Sequence, residues 1–118
     1  MMIAKLKAKA PSATIVLVTY PREISKTNCP AMSFTDQELA ILQQMGAAVE
    51  TDLVAAAHRN HLLLADPYAQ RGDHTACAPK STQWAAGYVV ADGDGFPYHP
   101  SPLGHQVMAK LIIKALHR

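Results

Sequence analysis

This sequence has little charge, few aromatics, almost no cysteine and no long apolar run. Lys+Arg number 11 and Asp+Glu 9 in 118 residues, a formal net charge of +2, and apart from Lys5, Lys7 and Lys9 the basic residues are scattered. That balance leaves no electrostatic footprint for nucleic acid, and this partner is set aside. No apolar run approaches the roughly 20 residues of a membrane-spanning helix. The longest, residues 13–18, is interrupted by Thr14 and preceded by lysines, loosely like a signal peptide. It is short, rich in β-branched residues and closed by Tyr20-Pro21, so it reads as a strand, and the chain shows no secretion signal of its own. The two cysteines, Cys29 and Cys77, form no C-x-x-C pair, which excludes zinc-ribbon and thioredoxin-type sites. Their number fits two buried thiols or one disulfide, and it slightly favours thiols because nothing fixes the redox compartment. There is no internal repeat and no low-complexity segment.

What is present describes a folded chain. Hydrophobic residues at 49% and charged residues at 17% exclude disordered, collagen-like and coiled-coil classes. The length suits one core, not a catalytic domain plus a regulatory one. Residues 2–10 alternate Lys with Ala or Leu up to Pro11 and read as helical turns. Residues 13–19 are continuously apolar at the centre, which suits a strand covered on both faces. After a loop over 20–34, Thr35-Asp36-Gln37-Glu38 forms a capping-box pattern opening a long helix. Leu39, Leu42, Met45, Gly46, Val49, Leu53 and Ala56 give it one apolar stripe, and Arg59-Asn60 ends it. Leu62 to Ala65 form a second apolar run stopped by Asp66-Pro67. Strand, helix, strand predicts a βαβ unit with parallel strands. Residues 67–98 are broken by Gly and Pro throughout, and long loops are more often functional than idle. A last helix starts near Ser101, with Pro102 at its first position and Leu103, Val107, Leu111, Ile112 and Leu116 facing inward.

Ligands of open parallel α/β sheets gather beyond the carboxyl ends of the strands. The segments that emerge there are the loop after Thr19, the loop after Asp66, and the approach to the last helix. The last is the richest. His99 lies between Tyr98 and Pro100 just before the helix, with a restricted backbone that can present its imidazole to a cleft. Asp66 is a strand-end position but also an ordinary turn signal. His58 and His61 straddle a helix end and His105 lies far along the chain, so surface or capping roles outweigh metal binding. Asp73 and His74 read as loop organisers, and Trp84 and Tyr88 line a pocket or cover the sheet. Neither a metal nor a cofactor is called for.

The stretch His99-Pro100-Ser101-Pro102-Leu103-Gly104-His105-Gln106-Val107-Met108-Ala109 resembles the last block of the SGNH (GDSL-type) serine hydrolases. Ile15-Val16-Leu17-Val18-Thr19-Tyr20-Pro21 is similar to that family's strand ending in a Tyr-Pro turn. Gly72-Asp73-His74-Thr75-Ala76-Cys77 with downstream Trp84 looks like its secreted actinobacterial esterase and lipase branch. The resemblance runs over nearly the whole chain and corresponds to the C-terminal half of the family fold. It implies a partial three-layer, flavodoxin-like parallel sheet with flanking helices. It also implies His99 as the general base of ester hydrolysis, a pocket near Trp84 and Tyr98, an extracellular setting, and a small-molecule or lipid ester as partner. Finally, it implies a Cys29–Cys77 disulfide, where the cysteine count alone slightly favours thiols.

The family's other motifs are missing from this chain. No Gly-Asp-Ser block is present, none of Ser12, Ser25, Ser33, Ser81 or Ser101 has a nucleophile's context, and there is no Gly-x-Ser-x-Gly elbow. The family's oxyanion-hole Gly and its Gly-x-Asn-Asp block are absent too, so the attacking group and its main electrostatic support are both lacking. Ser101 reads as a helix N-cap. The triad acid's usual position, three residues before the His, is Phe96; Asp94 and Asp92 are close but off the motif. The Phe96 carbonyl is therefore a candidate for orienting His99, with Asp94 the alternative acid. The expectation is a truncated hydrolase chain, inactive alone. The rival is a non-catalytic α/β module, or a gene fragment, that self-associates through an exposed sheet edge.

Overall fold

A computed structural model describes residues 2–91 and 95–117. Asp94 and Asp92, the acids near His99 in sequence, lie outside the described residues. The element order is α1 (Met2–Lys9), β1 (Val16–Val18), α2 (Asp36–Arg59), β2 (Leu63–Ala65) and α3 (Pro102–Leu116). The result is a small α/β arrangement in which a two-stranded parallel sheet packs against α3.

The capping box forms as the residues require. Thr35 Oγ1 accepts from the Glu38 amide at 3.2 Å, and Glu38 Oε2 accepts from the Thr35 amide at 2.8 Å. The Thr35 amide and the Thr35 hydroxyl, both donating to Glu38 Oε2, hold that carboxyl below its ordinary range. At the far end the Asn60 amide and side chain both donate to the Ala56 carbonyl, and His61 turns the chain out through φ +50. The crossover brings β2 beside β1 in parallel, with Val16 opposite Leu63 and Val18 opposite Ala65. Two further bonds extend the ladder, Leu63 N–H to the Ile15 carbonyl at 3.2 Å and Thr19 N–H to the Ala65 carbonyl at 3.0 Å.

Several expectations are corrected by the structure. The strand expected over 13–19 is shorter, because the Ala13 amide bonds back to the Ala10 carbonyl in a turn. Cover on both faces is expected of β1, yet all three of its residues are only half-buried. With two strands among the described residues, each has one neighbour. The stripe on α2 buries only Leu39, the helix's other buried residue being Ala57 off the stripe, while Met45 and Val49 are 58% and 54% exposed. On α3 the buried residues are Gly104 and Ala115, and Leu116 is exposed.

Residues 67–98 hold no further helix or strand among those described, only an isolated antiparallel bridge of Ala85 with Pro100. Part of this segment is nonetheless deeply buried. Ala76, Ala85 and Ala86 retain 2%, 0% and 3% exposure. Backbone bonds run from Trp84 to His74 at 2.8 Å, Ala86 to His99 at 2.9 Å and Tyr88 to Ala31 at 2.8 Å. Gly104 is required by packing: a Cβ there would overlap the Trp84 carbonyl. Cys29 and Cys77 are disulfide-bonded with Cα atoms 5.9 Å apart, so the thiol reading gives way. Beside the bridge, Met32, Leu39 and Ala76 form a small core cluster, with Ile24, Phe34 and Tyr98 packed against it.

Candidate functional site

The carboxyl ends of the two strands are tied together by side chains. Thr19, fully buried, donates from Oγ1 to Asp66 Oδ1 at 2.8 Å. The same Asp66 oxygen accepts from the Ala69 amide at 3.0 Å, so Asp66 braces both the strand ends and the turn after β2.

His99 is held through its backbone and leaves its ring at the surface. Its amide donates to the Phe96 carbonyl at 3.2 Å, and its own carbonyl accepts from the Ala86 amide at 2.9 Å. The ring contact is Nδ1 with the Pro97 carbonyl at 2.9 Å. The carbonyl against the imidazole is thus that of Pro97, while the Phe96 carbonyl accepts from the His99 amide. A carbonyl only accepts, so Nδ1 is the donor in this contact, and in the neutral imidazole the lone pair then lies on Nε2. This is the tautomer a general base needs.

Tyr98 adopts φ +56, a left-handed conformation that tyrosine rarely takes. Its ring stacks on Phe34 with centroids 5.0 Å apart, and its hydroxyl accepts from the Ser33 amide at 3.2 Å. Trp84 stacks on His74, centroids 3.6 Å apart and planes within 1°. Both His74 ring nitrogens lie against carbonyls, Nδ1 with Thr82 at 2.8 Å and Nε2 with Arg71 at 3.0 Å. His74 thus organises the loop, and Asp73 does likewise by accepting from the Thr75 hydroxyl at 2.7 Å. That bond holds the Asp73 carboxyl below its usual range. Ser101 is the N-cap of α3: its Oγ accepts from the Gly104 amide at 3.0 Å and donates to the buried Gln83 carbonyl at 2.8 Å. His58, His61 and His105 are exposed, and no group of three His, Cys, Asp or Glu among the described residues could hold a metal ion.

Two carboxyls that belong to no sequence motif stand out. A cavity of 520 Å³ lies between the loop after β1 and α2; its walls include Tyr20, Met45, Val49 and Tyr68, together with Glu23 and Glu50. Neither Trp84 nor Tyr98 lines it. Burial pushes Glu23 up to about 7, and the charge of His99 opposes that rise. Burial also pushes Glu50 up to about 7, reinforced by the Asp66 charge and a side-chain hydrogen bond to Asp66, and opposed by Thr19 and Arg22. Glu23 Oε1 and Glu50 Oε2 are buried without hydrogen-bond partners. Tyr20 rises through burial and the Glu23 charge. Arg22 donates to the Tyr68 carbonyl at 3.2 Å and lies over the Tyr68 ring. The sequence holds one signal of this cavity: Glu50 falls at helical steps from Gly46 and Leu53, on the flank of the apolar stripe of α2.

Comparison with known proteins finds no family model and no curated relative that matches this chain.

Proposed function

We propose that this chain supplies the base-bearing part of an SGNH-type serine esterase or lipase, with His99 as general base. The observation that carries the reading is the His99 ring itself, whose Nδ1 is held by the Pro97 carbonyl while Nε2 has no hydrogen-bond partner among the described residues. Fixing the tautomer through a backbone oxygen does part of what a triad carboxylate does. The residue pattern around His99 and the strand-end position of the loops support the same reading. In such an enzyme Nε2 takes the serine proton as the hydroxyl attacks an ester carbonyl, then returns it to the leaving alcohol. The serine and the oxyanion donors must come from outside these 118 residues. The partner is a small-molecule or lipid ester. The setting proposed is extracellular, in keeping with the Cys29–Cys77 bridge.

Two assays test this. The chain alone is expected to hydrolyse p-nitrophenyl acyl esters no faster than its His99→Ala variant. Fused behind the Gly-Asp-Ser-bearing front half of an SGNH esterase, it is expected to give turnover that His99→Ala abolishes. A folded, soluble fusion without His99-dependent turnover would refute the reading.

A second reading has one observation in its favour: β1 pairs only with β2 among the described residues, which leaves its other edge for a strand from another chain. Light scattering on purified protein separates the two, since a stable monomer at high concentration removes the edge-pairing module.

A further inference from the structure

We propose that this chain binds a single-chain anionic amphiphile, with its phosphate or carboxylate head held by Arg22, Lys26 and Arg71 and its apolar tail laid along α2. Two adjoining cavities of opposite character carry the inference. His99 lines neither of them, so the site goes beyond the reading of His99 as a base and does not rest on it.

The basic residues scatter along the sequence, but three of them converge in space. A cavity of 460 Å³ opens between the loops that follow β1 and β2, at the carboxyl ends of the strands. Arg22 and Lys26 enter its wall from the first loop and Arg71 from the second. Asp73 is the acid in the same wall, and its carboxylate already accepts from the Thr75 hydroxyl at 2.7 Å and the Thr75 amide at 3.1 Å. The Lys26 and Arg71 side chains have no hydrogen-bond or ion-pair partner among the described residues. Arg22 gives one donor to the Tyr68 carbonyl at 3.2 Å and lies 4.8 Å from the centre of the Tyr68 ring, which steadies the guanidinium and leaves its other donors. The two loops are pinned to each other by the Cys29–Cys77 bridge and by the Ala76 amide, which donates to the Glu23 carbonyl at 3.2 Å. Cations held in this way suit an oxyanion, since a guanidinium fork matches phosphate or carboxylate.

Arg22 and Lys26 also belong to the wall of the 520 Å³ cavity, which sets the apolar cavity directly beside the cationic one. Its other walls are largely carbon: Tyr20, Leu42, Met45, Val49, Leu53 and Tyr68. Met45 and Val49 are more than half exposed, so an alkyl chain lying here removes apolar surface from water. Glu23 and Glu50 share this wall, but burial leaves both only partly ionised near neutral pH, and they oppose a tail less than full carboxylates would. A head alone leaves the apolar wall wet, and a tail with a cationic head leaves Lys26 and Arg71 unpaired. One molecule with an anionic head and an apolar chain satisfies both cavities.

The test uses the whole disulfide-bonded chain and three probes: octyl phosphate, inorganic phosphate and octylammonium, each kept below its micelle concentration. Binding is followed by amide NMR at about pH 6, where both carboxyls are mostly protonated. Octyl phosphate is expected to shift the amides of Arg71 and Gly72 together with those of Gly46 and Val49, and to bind at least about tenfold more tightly than either other probe. Lys26, Arg71 and Met45 are exposed, so substitutions there keep the fold. Lys26→Gln combined with Arg71→Gln should weaken octyl phosphate about tenfold or more and leave octylammonium unchanged. Met45→Gln should weaken octyl phosphate about threefold and leave inorganic phosphate unchanged. The proposal is overturned if octyl phosphate binds no more tightly than inorganic phosphate, if octylammonium binds as tightly, or if the variants bind like the wild type. Vesicles of equal parts phosphatidylcholine and phosphatidate separate a free amphiphile from a bilayer surface. Cosedimentation by a chain that ignores monomeric octyl phosphate also overturns the proposal, whereas binding of the monomer supports it with or without vesicle binding. Each of these outcomes leaves the ester-hydrolase reading to be decided by the fusion assay alone.

Discussion

The regular and irregular parts of this molecule differ in an unexpected direction. α1 buries no residue, α2 buries two of its 24, and β1 is only half-covered. The loop over 67–101, which has almost no regular structure, contains Ala76, Ala85, Ala86 and Ser101 at 8% exposure or less. Here much of the interior is built by loops of small residues whose backbone groups bond one another, and the helices and strands add only a few buried side chains, Leu39, Ala57, Ala65 and Ala115. Burial follows the density of backbone satisfaction and cross-linking, not the presence of helix or strand. The half-covered sheet and the open face of α2 are the apolar surfaces that this interior does not reach.

The contrast between loop interior and helical wall is tested most severely at the disulfide. Cys29 and Cys77 are separated by 48 positions, so the bridge removes much of the unfolded chain's freedom, on the order of 4 kcal/mol. Replacing both cysteines with serine is expected to lower the urea midpoint accordingly, and a loss below about 1 kcal/mol would show that the loop region stands without its staple. Next comes Gly104→Ala, which drives a methyl group into the Trp84 carbonyl. It should cost about 2–3 kcal/mol, against less than about 0.5 for Leu6→Ala in unburied α1. Thermal unfolding compares the two, and equal effects would erase the distinction.

The smallest effect concerns pH and the α2 side. The folded Glu50 pKa of about 7 lies above its ordinary 4.5, so between these values the folded chain keeps a proton that the unfolded chain releases. Stability therefore falls as pH rises through that window, and the loss is complete above about 7. Glu23 contributes in the same direction and window. Asp73, whose pKa is lowered from 3.8, acts oppositely and only in more acidic solution. Glu50→Gln removes its share. After allowance for solvent screening, the variant should match the wild type at about pH 5 and exceed it by about 1 kcal/mol at about pH 8, read from denaturant melts. A parallel pH profile for both proteins would dismiss Glu50 as a titrating brace.

Much of the local structure is legible in the residues. The Thr35–Glu38 box, the Ser101 cap with Pro102 after it, and the parallel pairing across a long helix all follow from short-range patterns. The disulfide is legible only through the resemblance, since cysteine spacing carries no such information. Burial is less legible: Met45 and Val49 sit on a correct helical stripe, but a stripe is buried only if something covers it. The cavity holding Glu23 and Glu50, and the Pro97 carbonyl at the His99 ring, depend on how loops fold, and no local period encodes that. Counting back from His99 points to Phe96, whereas the turn bends the ring toward the next carbonyl.

Tyr98 makes one further demand on this sequence. Its backbone sits where a side chain is disfavoured by about 1–2 kcal/mol, which alone would select glycine. Its ring and hydroxyl, clasped by Phe34 and Ser33, require a tyrosine. The position therefore asks for two incompatible amino acids at once, and aromatic anchorage has prevailed over backbone comfort. A swap to glycine would relax the main chain and at the same moment unmoor the residue next to His99, so a softer turn here means a less well-aimed imidazole.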